Sequence, residues 1–349
     1  MAVRRLTAML LAWLISLPAL AGCHAFPTRS EAMVEHTFFA MDTFVTLRLA
    51  RAAADGTPMD DGRMETLFSG CEQIVSRLES EVSRTIPQSD TSRFNSSTAG
   101  IRCEGEELPR VLSRALDAAK STNGAFSPAM GALINLWNIS GGGPVPPQDA
   151  VQDARSHCDY TRLSMNGSEI TKTDGALQLD LGGIAKGYAV DCLLSYLQDE
   201  GVAYGLVSLG GNVGVFGEKA DGTPYTVGIT DPREPASLAG YLHIRSGTVA
   251  VSGDYERFFE ENGVRYHHIL DPRTGMPADS GLCSVAVWSE DGALADALST
   301  ALFVMGAEEA LRYYDAHAGT FEAVLITGAG EILVTEGLRR TDGFVTAEK

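Results

Sequence analysis

Basic residues are scarce in this chain. Its 349 residues contain 27 Lys and Arg against 45 Asp and Glu, which gives a formal net charge of −18 at pH 7. This shortage excludes a protein that wraps nucleic acid, because phosphate backbones are bound by basic surfaces. An anionic ligand would instead need a metal ion or the N-terminus of a helix to hold it.

Cysteine is also infrequent, and its spacing carries no metal signal. The chain has six cysteines and no CxxC pair, which argues against zinc or thioredoxin-type chemistry. Five of them follow Cys23, so at least one thiol is expected to stay free or to pair outside the chain. Cys71 and Cys192 fall on apolar helical stripes and are predicted to lie in the core.

Long hydrophobic runs are missing beyond the first 23 residues. Arg4 and Arg5 precede LTAMLLAWLISLPALAG, which is short for a membrane span and ends at LAGC. This pattern predicts a lipoprotein signal peptide over residues 1–22, a lipid on Cys23 and a tether over residues 23–35. The protein would then be exported and anchored on the periplasmic side of a bacterial membrane. The alternatives are an ordinary signal peptide or an uncleaved anchor.

The remaining sequence mixes two hydrophobic periods and shows no internal repeat. Alternating apolar residues predict a half-buried strand within 38–50. Polar residues predict a loop over 83–100, and ALQLDL predicts a strand over 176–181. The predicted helices, which all have apolar residues at helical spacing, are 64–78, 108–119, 184–197 and 293–305. Together these elements predict an α+β fold.

Two common nucleotide-binding patterns are absent from DLGGIAKGYAVD, residues 180–191. A P-loop needs lysine directly after its last glycine, but Lys186 precedes Gly187, and no Rossmann GxGxxG is present. What remains is a Gly182–Gly183 corner that opens a helix, whose backbone N–H groups could face an anion. The alternative is a plain turn with a solvated lysine.

Basic residues are absent from 289–305, around the segment DALST. Asp296 and Thr300 share one helical face among apolar neighbours, and a buried carboxylate without a partner is costly. Carboxylate and hydroxyl oxygens are the ligands that Mg²⁺ takes, together with phosphate and backbone oxygens. The pattern therefore favours a metal site, unless Asp296 lies on the exposed face of the helix.

Three further segments are weak signals on their own. His267 and His268 in a strand-like run could supply a general base, although a single core histidine is more often structural. Asp271 is better explained as a turn cap than as a catalyst. SRFN and GAFSP bring an arginine, an amide and an aromatic ring that would suit a flavin nucleotide.

Eight motifs occur in one order and resemble those of a known family. The chain resembles the ApbE family, the FAD:protein FMN transferases, from about residue 36 to 335. The motifs that carry the resemblance are AMDT at 40–43, SRFN at 92–95, GAFSP at 124–128, DLGGIAKGYAVD at 180–191, SLGGN at 208–212, SGDYERFF at 252–259, HHILDPRTGMP at 267–277 and DALST at 296–300.

The resemblance implies a fold and a reaction. The fold would be ApbE-like and similar to the T-fold, with mixed sheets and packed helices in one catalytic unit of two intertwined subdomains over residues 36–340. The enzyme would use Mg²⁺ to move FMN from FAD onto a Thr or Ser hydroxyl of an exported flavoprotein of a membrane redox complex, releasing AMP. The alternatives are an FAD pyrophosphatase that gives FMN and AMP, and a non-catalytic flavin-binding lipoprotein.

The resemblance also implies roles for individual residues. The metal would be held by Asp296, Thr300 and a backbone oxygen of Gly183, and Asp296 would act with His268 in catalysis. His268 would help to deprotonate the acceptor hydroxyl. The residues expected to contact FAD are Met41, Ala125, Phe126, Ser127, Asp180, Lys186, His267 and His268. One position departs from the family pattern, because Asp42 stands where the familiar AMGT motif has glycine.

Overall fold

The computed structural model describes residues 33–347. The predicted signal peptide, Cys23 and most of the predicted tether lie outside these described residues. Within the described part of the chain, no helix is both long and apolar enough to cross a membrane.

Residues 33–347 form strands and helices throughout their length, which confirms the predicted α+β class. The strands are β1 (Val34–Ala40), β2 (Thr43–Leu49), β3 (Gly100–Arg102), β4 (Leu163–Asn166), β5 (Glu169–Lys172), β6 (Gly205–Leu209), β7 (Asn212–Phe216), β8 (Tyr225–Thr230), β9 (Leu238–Ile244), β10 (Gly247–Gly253), β11 (Phe258–Glu261), β12 (Val264–His267), β13 (Leu282–Ser289), β14 (Glu322–Thr327), β15 (Ile332–Val334) and β16 (Phe344–Thr346). The α-helices are α1 (Asp61–Val82), α2 (Asp90–Ser96), α3 (Glu107–Ser121), α4 (Gly131–Trp137), α5 (Gln148–Ser156), α6 (Ala185–Asp199), α7 (Gly292–Ala316) and α8 (Glu336–Arg340).

One antiparallel sheet of eight strands runs through the centre in the order β1-β2-β6-β7-β10-β13-β14-β15. Val45, Leu47 and Leu49 of β2 are fully buried, as their alternation predicted. Helices α6 and α7 pack on one face of this sheet, and α1 and α3 lie against these two helices. This helical face is the one that carries most of the candidate site residues.

The opposite face of the central sheet is covered by the small sheet β16-β9-β8. Val215, Val249 and Ala286 of the central sheet form a second core there with Val227 and Leu242. A third, smaller core joins α4 and α5 to the chain after β12. Within it, the indole N–H of Trp137 donates to the Gly275 carbonyl at 2.8 Å.

The predicted helix over 293–305 is confirmed, and its end has a clear physical cause. Gly306 interrupts helical geometry with φ 78°, a conformation that favours glycine. Arg273 Nη2 donates to the Val304 carbonyl at 3.0 Å, one of the carbonyls left without a helical partner there. Asp271 accepts the Arg273 backbone N–H at 2.8 Å, which confirms Asp271 as a turn cap.

Two local predictions were wrong. The polar stretch 83–100 contains α2, because Ser89 accepts the Ser92 N–H and caps a short helix. Residues 176–181 pair with no strand in the described chain, and Ala176 lies in a turn. The side chain of Asn95 takes the place of a neighbouring strand, since it bonds both the N–H (2.7 Å) and the carbonyl (2.9 Å) of Leu179.

The five cysteines in the described residues are all free thiols. Cys71 is completely buried, as predicted, whereas Cys192 is partly exposed. Burial raises the pKa of Cys71 to about 12 and that of Cys158 to about 11. These thiols therefore remain protonated and unreactive at neutral pH.

Helices α6 and α7 cross with their backbones in contact. A Cβ on Gly187 would lie 2.0 Å from the Gly292 carbonyl oxygen, and a Cβ on Gly292 would lie 2.7 Å from the Gly187 carbonyl oxygen. No side chain fits between these two positions. The crossing therefore requires glycine on both helices.

Replacing Gly187 with alanine should lower the free energy of unfolding by about 1–3 kcal/mol, because the added methyl group forces the two helices apart. Gly62 in the first turn of α1 is the matched control, since a Cβ there would meet only Asp60 Oδ1 at 3.6 Å. Gly62→Ala should leave stability unchanged or raise it by up to about 1 kcal/mol. Urea unfolding of both variants measures the difference, and equal stabilities would contradict the close crossing.

Candidate functional site

The site is built around the corner that precedes α6. Asp180 Oδ1 accepts the Gly182 N–H at 2.8 Å, and the Leu181 carbonyl accepts the Ala185 N–H at 2.9 Å. The chain thus turns sharply through Gly182 and Gly183 and enters the helix. The N–H groups of the first helical turn have no acceptor inside the helix and need one from elsewhere.

Asp296 on α7 supplies one of these acceptors. Its Oδ2 accepts the Gly187 N–H at 2.9 Å, and the residue is 4% exposed. Its Oδ1 lies 3.8 Å from Lys186 Nζ, which also donates to the Gly182 carbonyl at 3.0 Å. Residues 289–305 contain no Lys or Arg, but the fold brings Lys186 of α6 close to Asp296.

Gly183 and Thr300 lie next to this carboxylate. A Cβ on Gly183 would lie 3.4 Å from Thr300 Oγ1 and 3.2 Å from the Phe126 ring. Thr300 Oγ1 is 3.3 Å from Ser252 Oγ, which in turn is 2.8 Å from Ser299 Oγ. The backbone at Gly183 therefore approaches the Thr300 hydroxyl with no side chain in the way.

This group of oxygens fits a hard cation. The buried Asp296 carboxylate, the Thr300 hydroxyl and the Gly183 carbonyl are the donor types that Mg²⁺ prefers. Within residues 33–347 no hydrogen bond is made to the Gly183 carbonyl. The same residues contain no cluster of three or more His, Cys, Asp or Glu that could hold a metal alone. A cation here would need further oxygens from a bound ligand, as Mg²⁺ on a pyrophosphate does.

The GAFSP segment lines the site from the other side of the corner. Ala125, Phe126 and Ser127 are all buried, and Phe126 faces Gly183. The Asp180 N–H donates to the Pro128 carbonyl at 2.8 Å, which ties this segment to the corner. The predicted flavin-contact run and the predicted metal site are therefore neighbours.

Two hairpin turns bring more of the motifs to Lys186. In the SLGGN turn between β6 and β7, a Cβ on Gly210 would lie 2.9 Å from Thr43 Cγ2 and 3.2 Å from Lys186 Cδ. Thr43 ends the AMDT turn between β1 and β2, so this turn also borders the site. Met41 is held there by its backbone N–H, which donates to Glu79 Oε1 at 2.9 Å.

Asp42 occupies the turn position that the family motif gives to glycine. Its φ is 58° and that of Met41 is 51°, as two-residue hairpin turns require. Aspartate tolerates this left-handed conformation better than most residues, which accounts for its acceptance here. The Asp42 side chain is exposed to solvent.

The two histidines have different surroundings. His267 is buried, its Nε2 lies 3.1 Å from the Ala278 carbonyl, and its Nδ1 accepts the Ile269 N–H at 3.3 Å. His268 is partly exposed, and its Nδ1 is buried without a hydrogen-bond partner in the described chain. Burial, with the positive Arg257 and Lys186 nearby, lowers the pKa of His268 to about 3. His268 is therefore a neutral imidazole at physiological pH.

The structure adds residues that sequence reasoning missed. Arg84 Nε lies 3.2 Å from Asp180 Oδ2, so the residue expected to contact FAD is already paired with a cation. Glu256 reaches the SLGGN turn, where its Oε1 would be 3.8 Å from a Cβ on Gly211. The SGDYERFF motif pointed to the segment of Glu256, but no motif in the sequence around Arg84 singled out that residue.

Most of the predicted site residues meet at one place on the helical face of the central sheet. Gly183, Lys186, Asp296, Thr300 and Phe126 are joined by the contacts given above. His267 differs, because the backbone engages both of its ring nitrogens. The roles of all these residues in binding FAD or a metal remain predictions.

Known proteins are similar to this chain in sequence and in fold. The model of a family described as the ApbE family matches residues 41–325. A FAD:protein FMN transferase of Treponema pallidum is 36% identical over 246 residues, which cover 62% of this chain and 67% of that protein. A FAD:protein FMN transferase of Klebsiella pneumoniae is 34% identical over 290 residues, which cover 78% of this chain and 88% of that protein.

A solved structure extends the likeness to the fold. The crystal structure of the ApbE protein of Thermotoga maritima matches with a TM-score of 0.79 and 31% identity, over 88% of this chain and 98% of that one. The predicted ApbE-like arrangement of mixed sheets and packed helices is thereby confirmed.

Proposed function

Because the chain belongs to the ApbE family of flavin transferases, we propose that it moves FMN from FAD onto a Thr or Ser hydroxyl of an exported flavoprotein and releases AMP. In this reaction the acceptor oxygen bonds to the phosphorus on the FMN side of the pyrophosphate. The bond from that phosphorus to the bridging oxygen breaks, and AMP departs with this oxygen. The hydroxyl proton must pass to a base on the enzyme.

The observation that carries the proposal is that the Gly183 backbone lies against the Thr300 hydroxyl, one helical turn from the Asp296 carboxylate beside Lys186. These residues would hold Mg²⁺, which when bound to a pyrophosphate neutralises charge as a phosphoryl bond breaks. Lys186 adds a positive charge at the same place, and the start of α6 adds the N-terminal end of a helix dipole. An acidic protein can bind the FAD pyrophosphate in this way without a basic surface.

His268 is suited to receive the hydroxyl proton. A base must be unprotonated to act, and the lowered pKa of His268 keeps the imidazole neutral, while the same shift makes it a weaker proton acceptor than an ordinary histidine. Since Nδ1 is buried, Nε2 is the ring nitrogen that a substrate can reach. The neighbouring His267 would hold this segment in place through its two backbone contacts.

The proposal is tested by incubating the purified protein with FAD and MgCl₂, with and without the soluble domain of a flavin-carrying redox subunit. Transfer predicts a protein-bound fluorescent flavin together with AMP, only when the acceptor is present. Free FMN and AMP without acceptor would indicate an FAD pyrophosphatase instead. Unchanged FAD in both mixtures would rule out either enzyme and favour a flavin-binding protein.

We also propose that the protein is exported and anchored on the periplasmic side of a membrane through a lipid on Cys23. The support is the LAGC sequence after a short apolar run. Cys23→Ser should abolish incorporation of radiolabelled palmitate into the protein, because the thiol that carries the lipid is gone. A variant that incorporates as much label as the unmodified chain would contradict lipid anchoring through Cys23.

A further inference from the structure

Helices α6 and α7 carry the same short pattern at the place where they cross. On α6, Gly187 and Asp191 are four residues apart in GYAVD, and on α7, Gly292 and Asp296 are four residues apart in GALAD. In each helix the glycine and the aspartate therefore lie on one face, one turn apart. These two faces pack against each other where Gly187 and Gly292 are in contact.

The two aspartates bond in a reciprocal manner. Asp296 of α7 accepts the Gly187 N–H in the first turn of α6 at 2.9 Å. Asp191 of α6 accepts the Gly292 N–H at 2.7 Å and the Ala293 N–H at 3.0 Å, in the first turn of α7. Each helix thus supplies a carboxylate to the N-terminus of the other, where carboxylates are most favourable.

Asp191 is distinct from the ordinary cap of α7. Asp291 accepts the Leu294 N–H at 2.8 Å from within its own segment, and it also pairs with Arg114 of α3. Of these two aspartates, only Asp191 links α7 to α6. Burial raises the pKa of Asp191 to about 6, against the two N–H groups that lower it. Desolvation disfavours the charged form of Asp191 at this crossing, and the two N–H groups partly offset that cost.

We propose that Asp191 is a positioning residue for the metal site: it fixes the start of α7 on α6 and so holds Asp296 and Thr300 against Gly183. Gly183 precedes α6, whereas Asp296 and Thr300 lie on α7. The distance between the two halves of the site therefore depends on how these helices are joined. This inference rests on the proposed function, because it takes the magnesium site as given.

Asp191→Asn tests the inference, with Asp291→Asn, a change at the N-cap of α7, as the matched control. Asparagine keeps the side-chain volume, but its single carbonyl oxygen can accept only one of the two N–H groups. At pH 8, Asp191→Asn should raise the MgCl₂ concentration for half-maximal FAD consumption about 10–100-fold, as changes behind metal ligands do. At saturating MgCl₂, the kcat should return to within about threefold of the unmodified enzyme.

A second measurement does not depend on turnover. Calorimetric titration of MgCl₂ into the protein–FAD complex without acceptor, where FAD supplies the remaining oxygen ligands, should show the same loss of affinity in Asp191→Asn. Asp291→Asn removes the charge that pairs with Arg114 but keeps a good N-cap residue, and it should change the magnesium affinity by no more than about twofold, since it leaves the α6–α7 bonds in place. If Asp191→Asn does not fold, Asp191→Ser replaces it in these measurements. The serine hydroxyl can still accept one N–H.

The outcomes separate the inference from the function on which it rests. Unchanged magnesium affinity in Asp191→Asn, or an equal loss in Asp291→Asn, would overturn the positioning role while the metal site stood. An unmodified enzyme that binds no magnesium and consumes FAD without it would overturn the metal site, and the positioning role with it.

Discussion

Replacing Asp296 with asparagine should reduce FMN transfer at least about 100-fold, because the proposed metal site loses its only charged ligand. Asparagine has nearly the same shape, and its carbonyl oxygen can still accept the Gly187 N–H that Asp296 accepts at 2.9 Å. The fold should therefore survive the change. Initial rates of AMP release at several MgCl₂ concentrations measure the effect.

Asp315→Asn is the control for this variant. Asp315 lies on the same helix but its side chain is exposed, beyond the break at Gly306. The Asp315→Asn variant should transfer FMN at the rate of the unmodified enzyme. The metal assignment would be wrong if Asp296→Asn kept its full magnesium-dependent rate, or if the two variants lost activity equally.

Replacing His268 with alanine should slow transfer by about 100-fold or more, the loss expected when a general base is removed. FAD affinity should change by no more than about threefold, because the histidine would act on the acceptor hydroxyl. Stopped-flow transfer rates and FAD titration separate the two effects. Equal losses in rate and affinity would assign His268 to binding instead.

The pH dependence of the unmodified enzyme supplies an independent check on His268. An imidazole with its ordinary pKa would lose its base form as the pH falls through about 6.5. The pKa of His268 is lowered to about 3, so the base form persists in acid. The contribution of His268 to kcat/KM should therefore stay level from pH 8 down to about pH 5. His243→Ala, which removes a partly exposed histidine of β9, should leave rate and profile unchanged.

Local sequence patterns predicted the elements whose structure depends on local residues. The buried alternation of β2, the helix that stops at Gly306 and the turn capped by Asp271 all follow from nearby side chains. The strand predicted at 176–181 failed because alternation shows which residues are buried, but not whether a partner strand exists. Its place was taken by one amide side chain, that of Asn95.

The ion pairs around the site also show that local sequence does not reveal which residues meet in space. No Lys or Arg occurs near Asp296 in the sequence, yet Lys186 Nζ lies 3.8 Å from its carboxylate in space. Asp180 is likewise paired with Arg84, nearly a hundred residues earlier. A metal can still be proposed at Asp296, because a single lysine beyond hydrogen-bond distance leaves its Oδ1 available. Partners of this kind arise from helix packing and cannot be deduced from spacing.

The reciprocal hydrogen bonds between α6 and α7 could be predicted only in part from the sequence. The repeated Gly-x-x-x-Asp pattern is visible in the sequence, but its meaning depends on the glycines meeting at the crossing. Once the helices are placed, the pattern explains why both aspartates, Asp296 buried and Asp191 partly buried, lie beside helix N-termini. It also connects the start of α6, where the ligand would bind, to the proposed metal ligands on α7.

The most direct test of the account is the intact mass of an acceptor flavoprotein domain after incubation with this enzyme and FAD. With MgCl₂ present, the acceptor should gain the mass of one FMN less one water, and the gain should map to a single Thr or Ser. Chelation of magnesium, or the Asp296→Asn change, should abolish it. An acceptor whose mass is unchanged while FAD is converted to free FMN and AMP, or a full gain without magnesium, would contradict a metal-dependent FMN transferase.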